Sequence, residues 1–223
     1  MATAVWFVLI GREIALLGLS GSSSARYIAT VAIAILGFLL IGLIVMDWQT
    51  HLLPDAFTLS GIAIGLFLVC TQAIFLNPHE GDVILDTTHQ LRLSSPGSFQ
   101  SQGNVFLTGP EALLYGRLLA VIGAALLLLI IRWTYQAIRG REGLGLGDVK
   151  LFAMIAAFLG FWPAMLALFI GVLAATVYGL LLLIRGRAHA LTRLPLGSFI
   201  SAGGLIAALY GERIISSYTS TFR

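Results

Sequence analysis

Two aspartates lie where apolar stretches meet polar ones. Asp47 follows the apolar run IAILGFLLIGLIVM, and Asp148 ends the glycine-rich stretch GLGLGD just before another apolar run. Ionisable residues near a membrane are costly and are therefore candidates for function. Two carboxyl groups that meet share one proton, because two negative charges would repel each other. Such a pair can hydrolyse a peptide bond, since one carboxylate accepts a proton from water while the other acid donates to the substrate carbonyl.

Each aspartate also has an ordinary structural interpretation. Asp148 could cap the helix that begins there, because its side chain can accept a backbone N–H bond. Asp47 could be a solvated residue at the membrane boundary. Two such residues on one side of a membrane favour chemistry. A helix N-terminus favours a negative charge and a C-terminus disfavours one, so we expect Asp148 to be the more acidic and Asp47 the more readily protonated.

Other catalytic motifs are missing from the sequence. GLGLGD lacks the Lys-Ser/Thr of a phosphate-binding loop, and its glycines are not spaced as GxGxxG. Neither HExxH nor a GxSxG elbow occurs, the four histidines are scattered, and Cys70 is the only cysteine. We therefore expect no metal site and no cofactor. The basic loops lack interleaved aromatic residues, so no nucleic-acid partner is expected either.

The composition predicts a membrane protein. Of the 223 residues, 58% are hydrophobic and 10% are charged, whereas soluble domains are about 25% charged. Several apolar runs reach the ~20 residues that cross a bilayer. The prediction is an all-α, polytopic transmembrane helical bundle of about six or seven helices, with residues 1–223 as a single membrane-embedded domain. The clearest predicted spans are Ile28–Met46, Ala56–Leu76, Ala112–Ile131, Ala164–Ile184 and Leu194–Ala208.

Three further segments complete this layout. Leu151–Trp162 is short and is expected to be shielded by its neighbours. Ala2–Ser20 is apolar but contains Arg12 and Glu13, so it could either span or lie at the surface. Residues 77–110 form a long polar loop.

Loop charges predict the orientation. The connections after the spans that end at Ile131 and Ile184 are rich in Lys and Arg, whereas the 77–110 loop has one Arg against three acids. Basic loops face the cytoplasm, so the long loop lies outside. Asp47 and Asp148 then both lie on the cytoplasmic side of the cell membrane.

Three stretches together resemble type IV prepilin peptidases, the Gly-x-Gly-Asp class of intramembrane-type aspartic proteases. MDWQTHLLPD resembles the family's first signature, an aspartate followed by Leu-Pro-Asp or Leu-Pro-Asn. GLGLGDVKLFAMIAAFLG resembles its second, and LPLGSFISAGGLIA is a weaker match to a helix start containing Pro-Phe-Gly-Pro. The resemblance covers about Ile28 to Gly211.

The resemblance implies an aspartic endopeptidase with Asp47 and Asp148 as its catalytic pair. Its substrates would be precursors of type IV pilins and of pilin-like type II secretion proteins, whose short basic leader is removed on the cytoplasmic side. Many members also carry two Cys-x-x-Cys pairs that bind zinc and are linked to N-methylation. This sequence has no such pair, so methyltransferase activity is not expected.

Five further residues match the signatures. Gly145 and Gly147 would let the backbone approach a substrate strand or adopt unusual φ angles. Pro54 would form the turn before the next helix, with Asp55 as its cap or as a partner of the site. Lys150 would hold a substrate carbonyl, tune Asp148, or simply mark the membrane boundary. The alternative function is a small transporter or proton-coupled channel that uses the same carboxylates.

Overall fold

The computed structural model of the chain describes residues 2–17, 24–50, 53–75, 110–140, 144–185 and 195–221. These residues form seven helices and no strand, which confirms the predicted all-α fold. The helices are α1 (Ala2–Leu17), α2 (Ser24–Thr50), α3 (Asp55–Phe75), α4 (Pro110–Arg139), α5 (Leu146–Leu159), α6 (Phe161–Ile184) and α7 (Leu196–Thr221). Apart from Pro110, the predicted outer loop lies outside the described residues.

Within these ranges, four helices are long and apolar enough to cross a membrane. α7 has a shorter apolar part, Leu196–Gly211. α1 covers Ala2–Leu17 of the N-terminal apolar segment, which could either span the membrane or lie at its surface. α2, α4 and α6 extend beyond the apolar runs predicted for them, because helical hydrogen bonding continues into the flanking residues. In α2, for example, the helix runs through Asp47 to Thr50, whose hydroxyl donates to the Met46 carbonyl at 2.7 Å. The four apolar segments are Ile28–Thr50, Asp55–Gln72, Leu114–Arg139 and Phe161–Ile184.

The short helix α5 forms the centre of the bundle. Its residues from Val149 to Phe158 are buried except Lys150, as expected for a helix that is apolar on all sides. Its 14 residues span about 21 Å, less than the ~30 Å hydrocarbon core, so the surrounding helices shield it. Glycines of α3 permit this close packing. A Cβ atom at Gly61 would lie 2.2 Å from the sulfur of Met154.

α6 and α7 are in close backbone contact. A Cβ at Gly203 would lie 2.2 Å from the Ala167 carbonyl oxygen, and one at Gly171 would lie 2.7 Å from the Ile200 Cα. Small residues at such crossings let membrane helices approach closely. α7 also packs along α2. The first turn of α7 is thereby held beside the last turn of α2, where Asp47 lies.

Candidate active site

Asp47 is buried in the last turn of α2, with 5% of its surface exposed. Its Oδ2 atom accepts two hydrogen bonds from Ser198, one from the backbone N–H at 2.6 Å and one from the hydroxyl at 2.8 Å. Ser198 is the third residue of α7, and the N–H groups of a first helical turn have no partner within their own helix. The carboxylate of α2 therefore occupies the N-terminus of α7.

Asp148 is the third residue of α5 and is partly buried. Its carboxylate accepts a hydrogen bond from the backbone N–H of Gly145, which occupies the N-cap position of that helix. Asp148 is thus not the N-cap itself. It reaches back to the cap residue, as the acid of a capping box does. Its carboxylate is held at the end of α5 that faces Asp47.

Gly197 lies between the two carboxyl groups. A Cβ atom at this glycine would lie 3.1 Å from Oδ2 of Asp47 and 3.1 Å from Oδ1 of Asp148. Because both oxygens are equally close to one point, they are no further apart than twice that distance. The structure therefore brings together the two aspartates that the sequence pairs, across 101 residues of chain.

Burial and, next, the negative charge of Asp47 raise the pKa of Asp148 from 3.8 to about 6, while the hydrogen bond from Gly145 opposes the rise. The helix dipole alone predicts a more acidic Asp148, but burial beside a second carboxyl outweighs the dipole.

The raised pKa of Asp148 predicts how stability depends on pH. Between about pH 4 and pH 6, Asp148 is ionised in the unfolded chain but holds its proton in the folded protein. Its stabilising contribution is therefore complete below about pH 4 and is lost as the pH rises through about 6. We expect the thermal unfolding midpoint in detergent to fall less over this range in Asp148→Asn than in the wild type. Equal slopes for the two proteins would contradict this assignment.

The remaining predicted site residues connect the two motifs. Nζ of Lys150 forms an ion pair with Oδ1 of Asp55 at 2.7 Å, and Asp55 is the first residue of α3. The Pro54 carbonyl accepts the first backbone hydrogen bonds of that helix, from Phe57 at 3.1 Å and Thr58 at 3.3 Å. Exposed pairs of this kind contribute about 0–1 kcal/mol. The ion pair joins the start of α3 to the first half of α5, and the expected role of Lys150 toward Asp148 or a substrate stays a prediction.

The structure excludes one of the two roles expected of the motif glycines, an unusual φ angle, whereas close approach to a substrate stays a prediction. Neither has a left-handed φ, and Gly145 has a φ of −71°. A Cβ at Gly147 would lie 3.0 Å from the Cβ of Leu53. Gly147 is therefore needed where the glycine motif packs against the Leu-Pro-Asp stretch, and not for an unusual backbone angle. Gly145 is exposed and supplies the N–H that binds Asp148.

Sequence reasoning does not identify Gly197 and Ser198 as site residues. Their only signal is the stretch LPLGSF, which is typical of a helix start. Side chains that contact Asp47 across 151 residues of chain leave no periodic pattern. Among the residues that the structure describes, no group of three or more His, Cys, Asp and Glu could hold a metal ion.

Aromatic rings lie beside the acids. Trp48, which follows Asp47, contacts Tyr178 of α6 edge-on with ring centres 6.1 Å apart. Tyr178 also contacts Phe199, the residue after Ser198, at 5.4 Å. Trp48 is 53% exposed. These three rings form a cluster between α2, α6 and α7, in which Trp48 and Phe199 are the chain neighbours of Asp47 and Ser198.

Comparisons with known proteins agree with the sequence motifs. The model of the Type IV leader peptidase family matches residues 103–180, which include Asp148 but not Asp47. A prepilin leader peptidase/N-methyltransferase of Burkholderia pseudomallei (strain 1026b) is 29% identical over 91% of this chain and 52% of its own length. The protein of the same name from Aeromonas salmonicida (strain A449) is 34% identical over 46% of this chain and 36% of its own.

A shorter match involves a protein of that name from Bacillus subtilis (strain 168), which is 42% identical over 34% of this chain and 31% of its own length. The chain spans about half the length of these curated relatives, or less. No solved structure matches the chain. The resemblance predicted from the sequence motifs is confirmed, because the chain is similar to the Type IV leader peptidase family over residues 103–180 and to prepilin leader peptidase/N-methyltransferases.

Proposed function

We propose that this chain is an aspartic endopeptidase of the cytoplasmic membrane that removes the basic leader from type IV prepilins or pilin-like precursors. The observation that carries the proposal is the closeness of the two carboxyl groups beside Gly197, where one oxygen of Asp47 and one of Asp148 each lie 3.1 Å from the position that a Cβ atom would take. A water molecule between two carboxyl groups is what acid–base hydrolysis of a peptide bond requires. The relationship to leader peptidases supports the same reaction.

The environments of the two acids suggest their roles. Ionised Asp47 takes a proton from the water as its oxygen bonds to the scissile carbonyl carbon. Protonated Asp148 gives its proton to the carbonyl oxygen, which yields a neutral tetrahedral diol. Asp47 then passes its proton to the leaving nitrogen as the carbon–nitrogen bond breaks, and Asp148 recovers the hydroxyl proton as the carbonyl re-forms. Two carboxyl groups with different surroundings suit such a division of roles.

The surroundings of the acids fit a substrate that is cut just before an apolar helix. Trp48, Tyr178 and Phe199 offer apolar contacts next to the carboxyl pair, and the bundle's long apolar helices face the bilayer. By the distribution of loop charges, this end of the bundle faces the cytoplasm, where a basic leader would be located.

The alternative, a proton-coupled transporter, predicts different placement of the acids. Transport sites are usually near the bilayer midplane, whereas Asp47 lies in the last turn of α2 and Asp148 in the first turn of α5. Proton flux in proteoliposomes distinguishes the two functions. We expect no flux above that of protein-free vesicles.

The direct test is cleavage of a purified prepilin in detergent or proteoliposomes. Mass spectrometry should show one cut between the basic leader and the apolar helix, with both fragments recovered. A chelator should leave the rate unchanged if the two carboxyl groups perform the reaction alone. Intact precursors after incubation with well-folded protein, over a panel of prepilins, would contradict the proposal.

A further inference from the structure

Ser198 donates two hydrogen bonds to Asp47, one member of the carboxyl pair. Both of its donors, the backbone N–H and the hydroxyl, reach the same oxygen of Asp47, at 2.6 and 2.8 Å. The hydroxyl also lies 3.3 Å from the Ile44 carbonyl, a longer contact. Ser198 is itself buried, with 5% of its surface exposed. Its hydrogen bonds are thus formed away from bulk water, where donors to a charged group have large effects.

The residue type at position 198 decides whether these bonds exist. In the stretch PLGS, Ser198 occupies the fourth position, which is proline in the Pro-Phe-Gly-Pro pattern that this stretch resembles. Proline has neither an N–H nor a hydroxyl group. A chain with proline here could supply no donor from this residue to the carboxylate.

We propose that Ser198 is a positioning residue of the active site, whose N–H and hydroxyl together orient Asp47 as the base that activates water. The inference rests on the proposed peptidase function. Oδ2, which accepts both donors, is also the Asp47 oxygen that approaches Asp148 beside Gly197. The serine thereby fixes the carboxylate in the orientation that faces the second acid.

The other ionisable groups near Asp47 come from its neighbouring helices. α5 contributes Asp148, whose charge interacts with Asp47, and Lys150, which is paired with Asp55 of α3. α6 contributes Tyr178, which contacts the ring of Trp48. The described first turn of α7 contains no acid or base. Ser198 is therefore the neutral group that acts directly on this carboxylate.

The test is the kinetics of cleavage in Ser198→Ala, Ser198→Pro and Ser198→Thr, with kcat and KM measured separately. The alanine variant lacks the hydroxyl donor, so kcat should fall about tenfold while KM stays close to that of the wild type. The proline variant lacks both donors and should lose more of its kcat. Proline is tolerated in the first turn of a helix, so folding should be retained. Threonine restores the hydroxyl and should return kcat to near the wild-type value.

Ser201 provides the matched control. It lies on the same helix, is fully buried, and its hydroxyl has no hydrogen-bond partner within the described part of the chain. Ser201→Ala should leave kcat and KM unchanged. If Ser198→Ala and Ser198→Pro keep the wild-type kcat, or if Ser198→Thr is as slow as Ser198→Ala, Ser198 does not position the base and the inference is wrong. If the wild type cleaves no precursor at all, the proposed function fails instead.

Discussion

Replacing either aspartate by asparagine, in Asp47→Asn or Asp148→Asn, should lower the rate of prepilin cleavage by at least a factor of about 10²–10⁴. Asparagine preserves the shape of the side chain but can neither accept a proton from water nor donate an acidic one. Because the two acids act on the same water, the double variant should be scarcely slower than either single one, as is found for groups that act as a unit.

The measurement is a time course of leader removal with purified protein and one precursor. Insertion and folding are checked by yield and by thermal unfolding. Asp148→Asn should be at least as stable as the wild type above about pH 6, because it removes the buried charge of Asp148. Full activity in either stable variant would exclude the two-aspartate mechanism.

The second large effect is expected from a single methyl group. Gly197→Ala should reduce cleavage at least about a hundredfold, a loss typical of small displacements of reacting groups. The new Cβ would lie 3.1 Å from both carboxylate oxygens and 2.9 Å from Cδ1 of Leu53. It would crowd both carboxyl groups and push the acids apart. Alanine is the better helix former, so the fold should not be weakened by loss of helix propensity.

Gly42→Ala is the matched control for this substitution. Gly42 is also a helical glycine, in α2, and a Cβ added there meets nothing within 4 Å. The control should retain wild-type cleavage. If Gly197→Ala cleaves as fast as Gly42→Ala, the close approach of the two carboxyl groups at Gly197 does not determine the rate of the reaction. A partial rescue by a second variant that shortens Leu53 would instead indicate that this leucine transmits the crowding.

The sequence predicts the long spans because they are local features. An apolar run of about 20 residues has few alternatives to a membrane helix, and α2 and α6 lie where this argument puts them. The pairing of Asp47 with Asp148 also follows, because loop charges assign both residues to one side. Such arguments need only composition and order along the chain.

The raised pKa of Asp148 could not be predicted in this way. A dipole argument considers each aspartate only within its own helix, but the carboxylate of Asp47 is bound by the N-terminus of α7. Likewise, nothing local to Asp148 shows how deeply its neighbours bury it. Contacts between distant segments also conceal the role of Gly147, which faces Leu53. These features depend on helix packing, which a single sequence does not encode as a visible pattern.

The enclosure of α5 has a consequence for motion. A helix covered on all sides by other helices cannot tilt or slide without disturbing every neighbour, and Asp148 is attached to its first turn. The backbones of α6 and α7 touch through Gly171 and Gly203, so these two helices move as one unit. The hydrogen bonds from Ser198 to Asp47 join α2 to α7. We therefore expect any rearrangement that separates these two helices to release Asp47 from Ser198 as well.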